Sequence, residues 1–128
     1  MSEAYQRAWR DSIDNRDAFW SRAAEAIDWI KPPQRVWDEA RGWFAGGTLN
    51  TAYNCLDRHV AAGRGDALAL VYDSPVTGSL RRYTYAELQH EVGRVAAMLV
   101  AQGITTGDRV IIYMPMIPET VFAMLACA

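Results

Sequence analysis

The chain predicts an α/β fold. A helical N-terminal stretch comes first, followed by a hairpin–helix–strand–helix series. Three observations carry this. The tryptophan-rich opening has helical spacing of its apolar positions over residues 1–30 and again over 51–62. From residue 66 the pattern changes to short runs of β-forming residues around a turn, with a capped amphipathic helix after them. Near the end, Arg109-Val-Ile-Ile-Tyr-Met114 is a short apolar run between a Gly107-Asp108 turn and a proline, the mark of a buried strand.

Taken in order, residues 1–30 read as two short amphipathic helices. Tyr5, Ala8 and Trp9 share a face of the first. Ser12 to Asn15 breaks it, and Asp14 or Asn15 is a candidate cap for the second. Phe19, Ala23, Ala26 and Ile27 line the second helix, with Trp20 beside them. Lys31-Pro32-Pro33 should end it, because a residue before proline avoids helical angles. Residues 31–50 read as an extended connector whose Trp37, Trp43 and Phe44 lie buried on another surface. Asn50 can cap a helix from Thr51 to about Ala62, closed by Gly63-Arg-Gly65.

Leu68–Asp73 then reads as a strand, Ser74–Ser79 as a turn and Leu80–Tyr83 as a more exposed returning strand. Thr84-Tyr-Ala-Glu87 is a capping box. The helix that follows carries Tyr85, Leu88, Val92, Val95, Ala96 and Leu99 on one face and stops at Gly103. Strand, helix, strand and helix at these lengths open a parallel sheet. Pro118-Glu119 starts the last helix, with proline suited to the first turn and an acid near the positive end. Val121–Ala128 is apolar all round, so it should be buried on all sides. No glycine, basic turn or polar tail closes it, and the chain reads as the N-terminal piece of a longer protein.

Composition narrows the function. With 128 residues, 51% hydrophobic and a formal net charge of -2, the chain is an ordinary globular sequence, with no basic surplus for nucleic acid or anionic membrane. No apolar run approaches the ~20 residues of a membrane helix, and the N-terminus lacks a basic-then-apolar signal pattern. Cys55 and Cys127 have no zinc spacing and read as buried reduced thiols in a cytosolic protein. Lys31, the single lysine, precedes a proline pair and has no phosphate-loop context.

Candidate chemistry is sparse. The sequence holds no Gly-x-Gly-x-x-Gly, no Gly-rich loop ending in Lys-Ser/Thr and no Gly-x-Ser-x-Gly elbow. Asp57 and His59 could be drawn as an acid–base pair, yet two helical positions apart they point to different faces, and His59 sits with Leu56 and Val60. A hydrogen-bonded structural histidine is the better reading there. His90 falls on the solvent face of its helix. Trp37, Trp43 and Phe44 could stack on a base, but core packing suits them better.

Two blocks reach beyond generic α/β. Trp43-Phe44-Ala-Gly46-Gly47-Thr-Leu49-Asn50 leads into Asn54-Cys55-Leu56-Asp57-Arg58-His59. Gly103 to Glu119 contains Gly107-Asp108-Arg109-Val110, Tyr113-Met114-Pro115 and Ile117-Pro118-Glu119. Together they resemble the acetyl- and propionyl-CoA synthetases, the short-chain acyl-CoA synthetase branch of the AMP-forming, adenylate-making enzymes. Tyr83-Thr84-Tyr85-x-Glu87-Leu88 resembles the wider family. Phe19-Trp20 and Ile27-Asp28-Trp29 lean toward the propionyl type.

The resemblance implies a ligase that joins a small carboxylate, propionate or acetate, to CoA through an acyl-adenylate. It implies ATP, CoA and Mg²⁺ as cofactors and a cytoplasmic location. It divides the chain into an N-terminal extension, residues 1–62, and the truncated start of the adenylate-forming domain, residues 63–128. The family's phosphate loop, acyl pocket, adenylation lysine and CoA-associated Phe-Gly-Gly stretch do not occur in these residues. No catalytic, cofactor-binding or metal residue is therefore nominated, the piece itself is expected to be inactive, and it is expected to self-associate. A non-catalytic interaction or regulatory module and an amino-acid-activating adenylation domain are the rival readings. The apolar end of the chain argues against the first, and the block at 43–59 against the second.

Overall fold

The structure, a computed structural model, describes residues 2–128. It combines helices with two small antiparallel sheets and divides into two compact units, one through Asn50 and one from Thr51. Each is described on its own.

The first unit opens with α1 (Glu3–Asp14), capped by Ser2, whose Oγ accepts the Tyr5 N–H at 3.3 Å. Its Tyr5, Trp9 and Ile13 are exposed. The second helix, α2 (Arg16–Ala24), starts after Asn15. Asn15 does not cap it: the side-chain amide donates back to Asp11 Oδ1 at 2.8 Å. Nor does the proline pair end it. It stops at Ala24, whose carbonyl accepts from Trp29 Nε1 at 3.0 Å and from the Ile27 N–H at 3.1 Å, and Ala26 and Ile27 lie past its end.

The connector is not merely extended. Residues 30–48 fold back as a long hairpin. Lys31 and Thr48 exchange backbone bonds at 3.1 and 2.9 Å, Gln34 N–H donates to Ala45 at 3.0 Å, and β1 (Trp37–Asp38) pairs antiparallel with β2 (Gly42–Trp43). Asp38 Oδ1 accepts the Ala40 and Arg41 N–H groups and closes the tip. The aromatics pack on one another. Trp43 meets Trp37 at 5.2 Å, Trp20 at 5.7 Å and Phe44 at 6.0 Å, and Trp29 meets Phe44 at 5.6 Å. Such edge and tilted contacts suit the ring quadrupole. Trp43 nevertheless stays 49% exposed, which corrects the expectation of a buried anchor. The buried residues of this unit are Val36 and Ala45, inside the hairpin.

The second unit begins with a helix over residues 51–64 that is wound wide. It contains two π-helical stretches, Tyr53–Asp57 and Val60–Arg64, and the Arg58 N–H donates back to the Tyr53 carbonyl. Strands β3 (Leu68–Ser74) and β4 (Ser79–Thr84) form an antiparallel hairpin around a turn with Gly78 at φ 64°. The capping box closes both ways: Glu87 N–H donates to Thr84 Oγ1 at 3.2 Å, and Thr84 N–H donates to Glu87 Oε2 at 2.8 Å. From it runs α3 (Tyr85–Ala101), ended by a Schellman pair in which Gly103 N–H donates to Val100 and Ile104 N–H to Leu99. Gly103 takes φ 84°, which a side chain would resist. The last helix is α4 (Pro118–Ala126).

Leu56, Leu88, Val92, Phe122 and Leu125 form the core of this unit. The helix α4 is buried along one stripe, Pro118, Phe122 and Leu125, while Met124 is 55% exposed. Cover on all sides is expected of the longer protein, with one side open in these residues alone, and one side is open here. Residues 109–114 are extended but join no ladder, so the parallel sheet is absent among the described residues. The physical reason is plain: a strand is defined by the strand it pairs with, and no described strand pairs with this segment. Ile111 and Tyr113 are accordingly 91% and 98% exposed.

Gly47 is the tightest point of the first unit. A Cβ there would sit 2.9 Å from the Trp29 ring and 3.1 Å from both the Phe44 carbonyl oxygen and Pro33 Cβ. Gly47→Ala should cost about 1–3 kcal/mol by overpacking. All five tryptophans lie between residues 9 and 43, so their fluorescence reports this unit alone. A lower denaturant midpoint in that signal is expected, and an unchanged midpoint would contradict the close fit.

Candidate functional site

The residues that carried the sequence argument fall into two places in the second unit, apart from Trp43–Asn50 in the first. The first place is the wide helix. Leu56 points into the core and is 2% exposed. Asp57 Oδ1 accepts from Gln89 Nε2 of α3 at 2.6 Å. Arg58 Nη1 donates to Asn54 Oδ1 at 3.0 Å. His59 meets the Tyr85 ring edge-on at 5.0 Å, and Arg64 hydrogen-bonds His59 Nδ1 while its guanidinium lies over Tyr85 at 5.6 Å. Asp57 and His59 thus both reach α3, one turn apart, at Gln89 and Tyr85. The polar side chains here join helix to helix. Gln89 is the residue that sequence reasoning passed over, and its position on the helix that starts at the capping box was the available signal.

The second place is the segment 103–119. Thr105 N–H and Oγ1 donate to Asp108 Oδ2 at 2.7 and 3.0 Å, which fixes the turn that launches residues 109–114. These bonds, the backbone one first, hold the Asp108 carboxyl below its ordinary value of 3.8. An open groove of about 720 Å³ lies beside the turn, with Leu99, Val100, Ile104, Val110, Ile112 and Met124 among its walls. Its lining is mostly apolar. Pro115 bends the chain and its carbonyl accepts from Thr120 Oγ1 at 2.7 Å, which sets the start of α4. Glu119 in the first turn pairs with Arg81 of β4 at 3.2 Å.

Other sequence candidates are not gathered with these. His90 is exposed on α3, and Lys31 sits in the first unit, bridged to Thr48. Cys55 and Cys127 are both free and both exposed, which corrects the expectation of buried thiols. Cys55 turns outward because its neighbour Leu56 takes the inward position, and Cys127 follows the end of α4. Among the described residues no three His, Cys, Asp or Glu side chains converge as a metal ligand set, and no helix is long and apolar enough to cross a membrane.

Comparison with known proteins identifies the family. The family profile described as acetyl-coenzyme A synthetase N-terminus matches residues 5–55, and that described as AMP-binding enzyme matches residues 57–128. The chain belongs to the short-chain acyl-CoA synthetases, within the AMP-binding enzyme family. It is 48% identical over 127 residues to acetyl-coenzyme A synthetase of Deinococcus radiodurans. It is 48% identical over 130 residues to acetyl-coenzyme A synthetase 2 of Pseudomonas aeruginosa. Acyl-CoA synthetase short-chain family member 3, mitochondrial, of Homo sapiens is 43% identical over 128 residues. Each comparison covers 97% of this chain but only 19–20% of the relative. The chain therefore spans about one fifth of the length of the synthetases it matches.

Two outcomes are expected. Leu56→Ala should cost about 2–5 kcal/mol, as for other fully buried leucines, seen as faster amide exchange across α3 with tryptophan fluorescence unmoved. Little change in α3 protection would mean that the wide helix is not part of the core. The Asp108 turn should open in acid. A carboxyl whose folded value is depressed contributes stability above its unfolded value and loses it as pH falls through the folded one. Thr105 amide exchange, compared with Asp108→Asn across the range below 3.8, checks this: the pH-dependent gain in protection should vanish in the variant.

Proposed function

We propose that this chain is the N-terminal portion of an AMP-forming short-chain acyl-CoA synthetase of the cytoplasm. In the whole enzyme, a carboxylate oxygen of acetate or propionate attacks the α-phosphorus of ATP. The acyl-adenylate forms and pyrophosphate leaves. The CoA thiol then attacks the acyl carbon, gives up its proton, and displaces AMP. The match to both family profiles along almost the whole chain is the observation that carries the reading. The names of the relatives support a small acid as substrate.

The residues of this chain do not fit the cofactors by themselves. They offer no phosphate-cradling loop and one lysine, Lys31, whose backbone is tied into a hairpin. ATP, CoA and Mg²⁺ therefore belong to residues elsewhere in the enzyme, and no catalytic, cofactor or metal ligand is assigned within 1–128. Residues 1–62 serve as the extension. Residues 63–128 supply the opening hairpin, helix, strand and helix of the adenylate-forming domain. In that domain 109–114 becomes a strand once the rest of the sheet lies beside it. Its apolar residues on both faces support this, since strands of parallel sheets are buried on both sides.

Two tests follow. The 128-residue chain alone should release no carboxylate-dependent pyrophosphate, while the full-length protein should do so with acetate or propionate. Activity that tracks the short chain through purification would overturn its scaffold role, and a full-length protein inert with both acids would overturn the ligase reading. The isolated chain should also self-associate, because Ile111, Tyr113 and Met116 present an apolar run with unpaired backbone. Sedimentation should show species heavier than a monomer, reduced by Tyr113→Lys; a concentrated, monodisperse monomer would count against it.

A further inference from the structure

We draw no further inference here: the strongest candidate, the exposed Tyr5–Trp9–Ile13 stripe on α1, is an unpartnered apolar face, and nothing in the structure shows what covers it.

Discussion

The second unit depends on one apolar contact, the stripe Leu88–Val92 of α3. Leu56 reaches it from the wide helix, and Phe122 and Leu125 reach it from α4. Ala69, Leu70 and Tyr83 bring the hairpin onto the same cluster. Burial of this kind is the largest favourable term in folding, at roughly 25 cal/mol per Å² of apolar surface. Polar bonds around the cluster set geometry more than stability. The Arg81–Glu119 pair is about half exposed, so it contributes little, yet it fixes where the start of α4 meets β4. Gln89 with Asp57 does the same for the wide helix.

The first unit solves the same problem with less buried surface. Its buried aliphatics are few, and rings packed edge to face take their place. Phe44 sits at φ 52°, a left-handed conformation that costs a non-glycine residue energy. That geometry persists because the neighbours specify it. The Phe44 N–H donates to Val36 at 2.7 Å, its carbonyl accepts from Gly47 at 3.0 Å, and Trp29 lies on its ring. The absence of a side chain at Gly47 gives Trp29 room to approach. Gly47 in the sequence block is thus explained by packing, and Gly46 by its φ of 79°, with no ligand required.

Features set by near neighbours were legible in the sequence. The Thr84–Glu87 box spans four residues, the β3–β4 turn six, and Pro118 marks its own helix start. Features set by distant partners were not. The return of Thr48 to Lys31 is a pairing across 17 positions that no local period announces. Residues 109–114 carry a strand's composition, but the strand state belongs to a ladder rather than to a segment. The π winding was missed because a 3.6-residue period was assumed. Trp43 was over-buried in expectation because size was taken as a proxy for depth, whereas rings can hold one another at a surface.

The run Asn54–His59 illustrates why a family signature is not a catalytic one. Its side chains are chemically suggestive: an acid, a guanidinium and an imidazole within three positions. Each has a structural engagement instead. Asp57 binds an amide, Arg58 binds the side chain one turn back, and His59 is held between Tyr85 and Arg64. An acid–base catalyst needs a substrate within hydrogen-bond reach and a polar cavity around it. Leucine in the middle of the run is the residue that commits it to the core. The polar residues beside it can then be specific in type without being reactive, because each is matched to a particular partner side chain. Recognition of the family and location of its chemistry are separate inferences in this chain. The first rests on packing residues, and packing residues do not by themselves give the second.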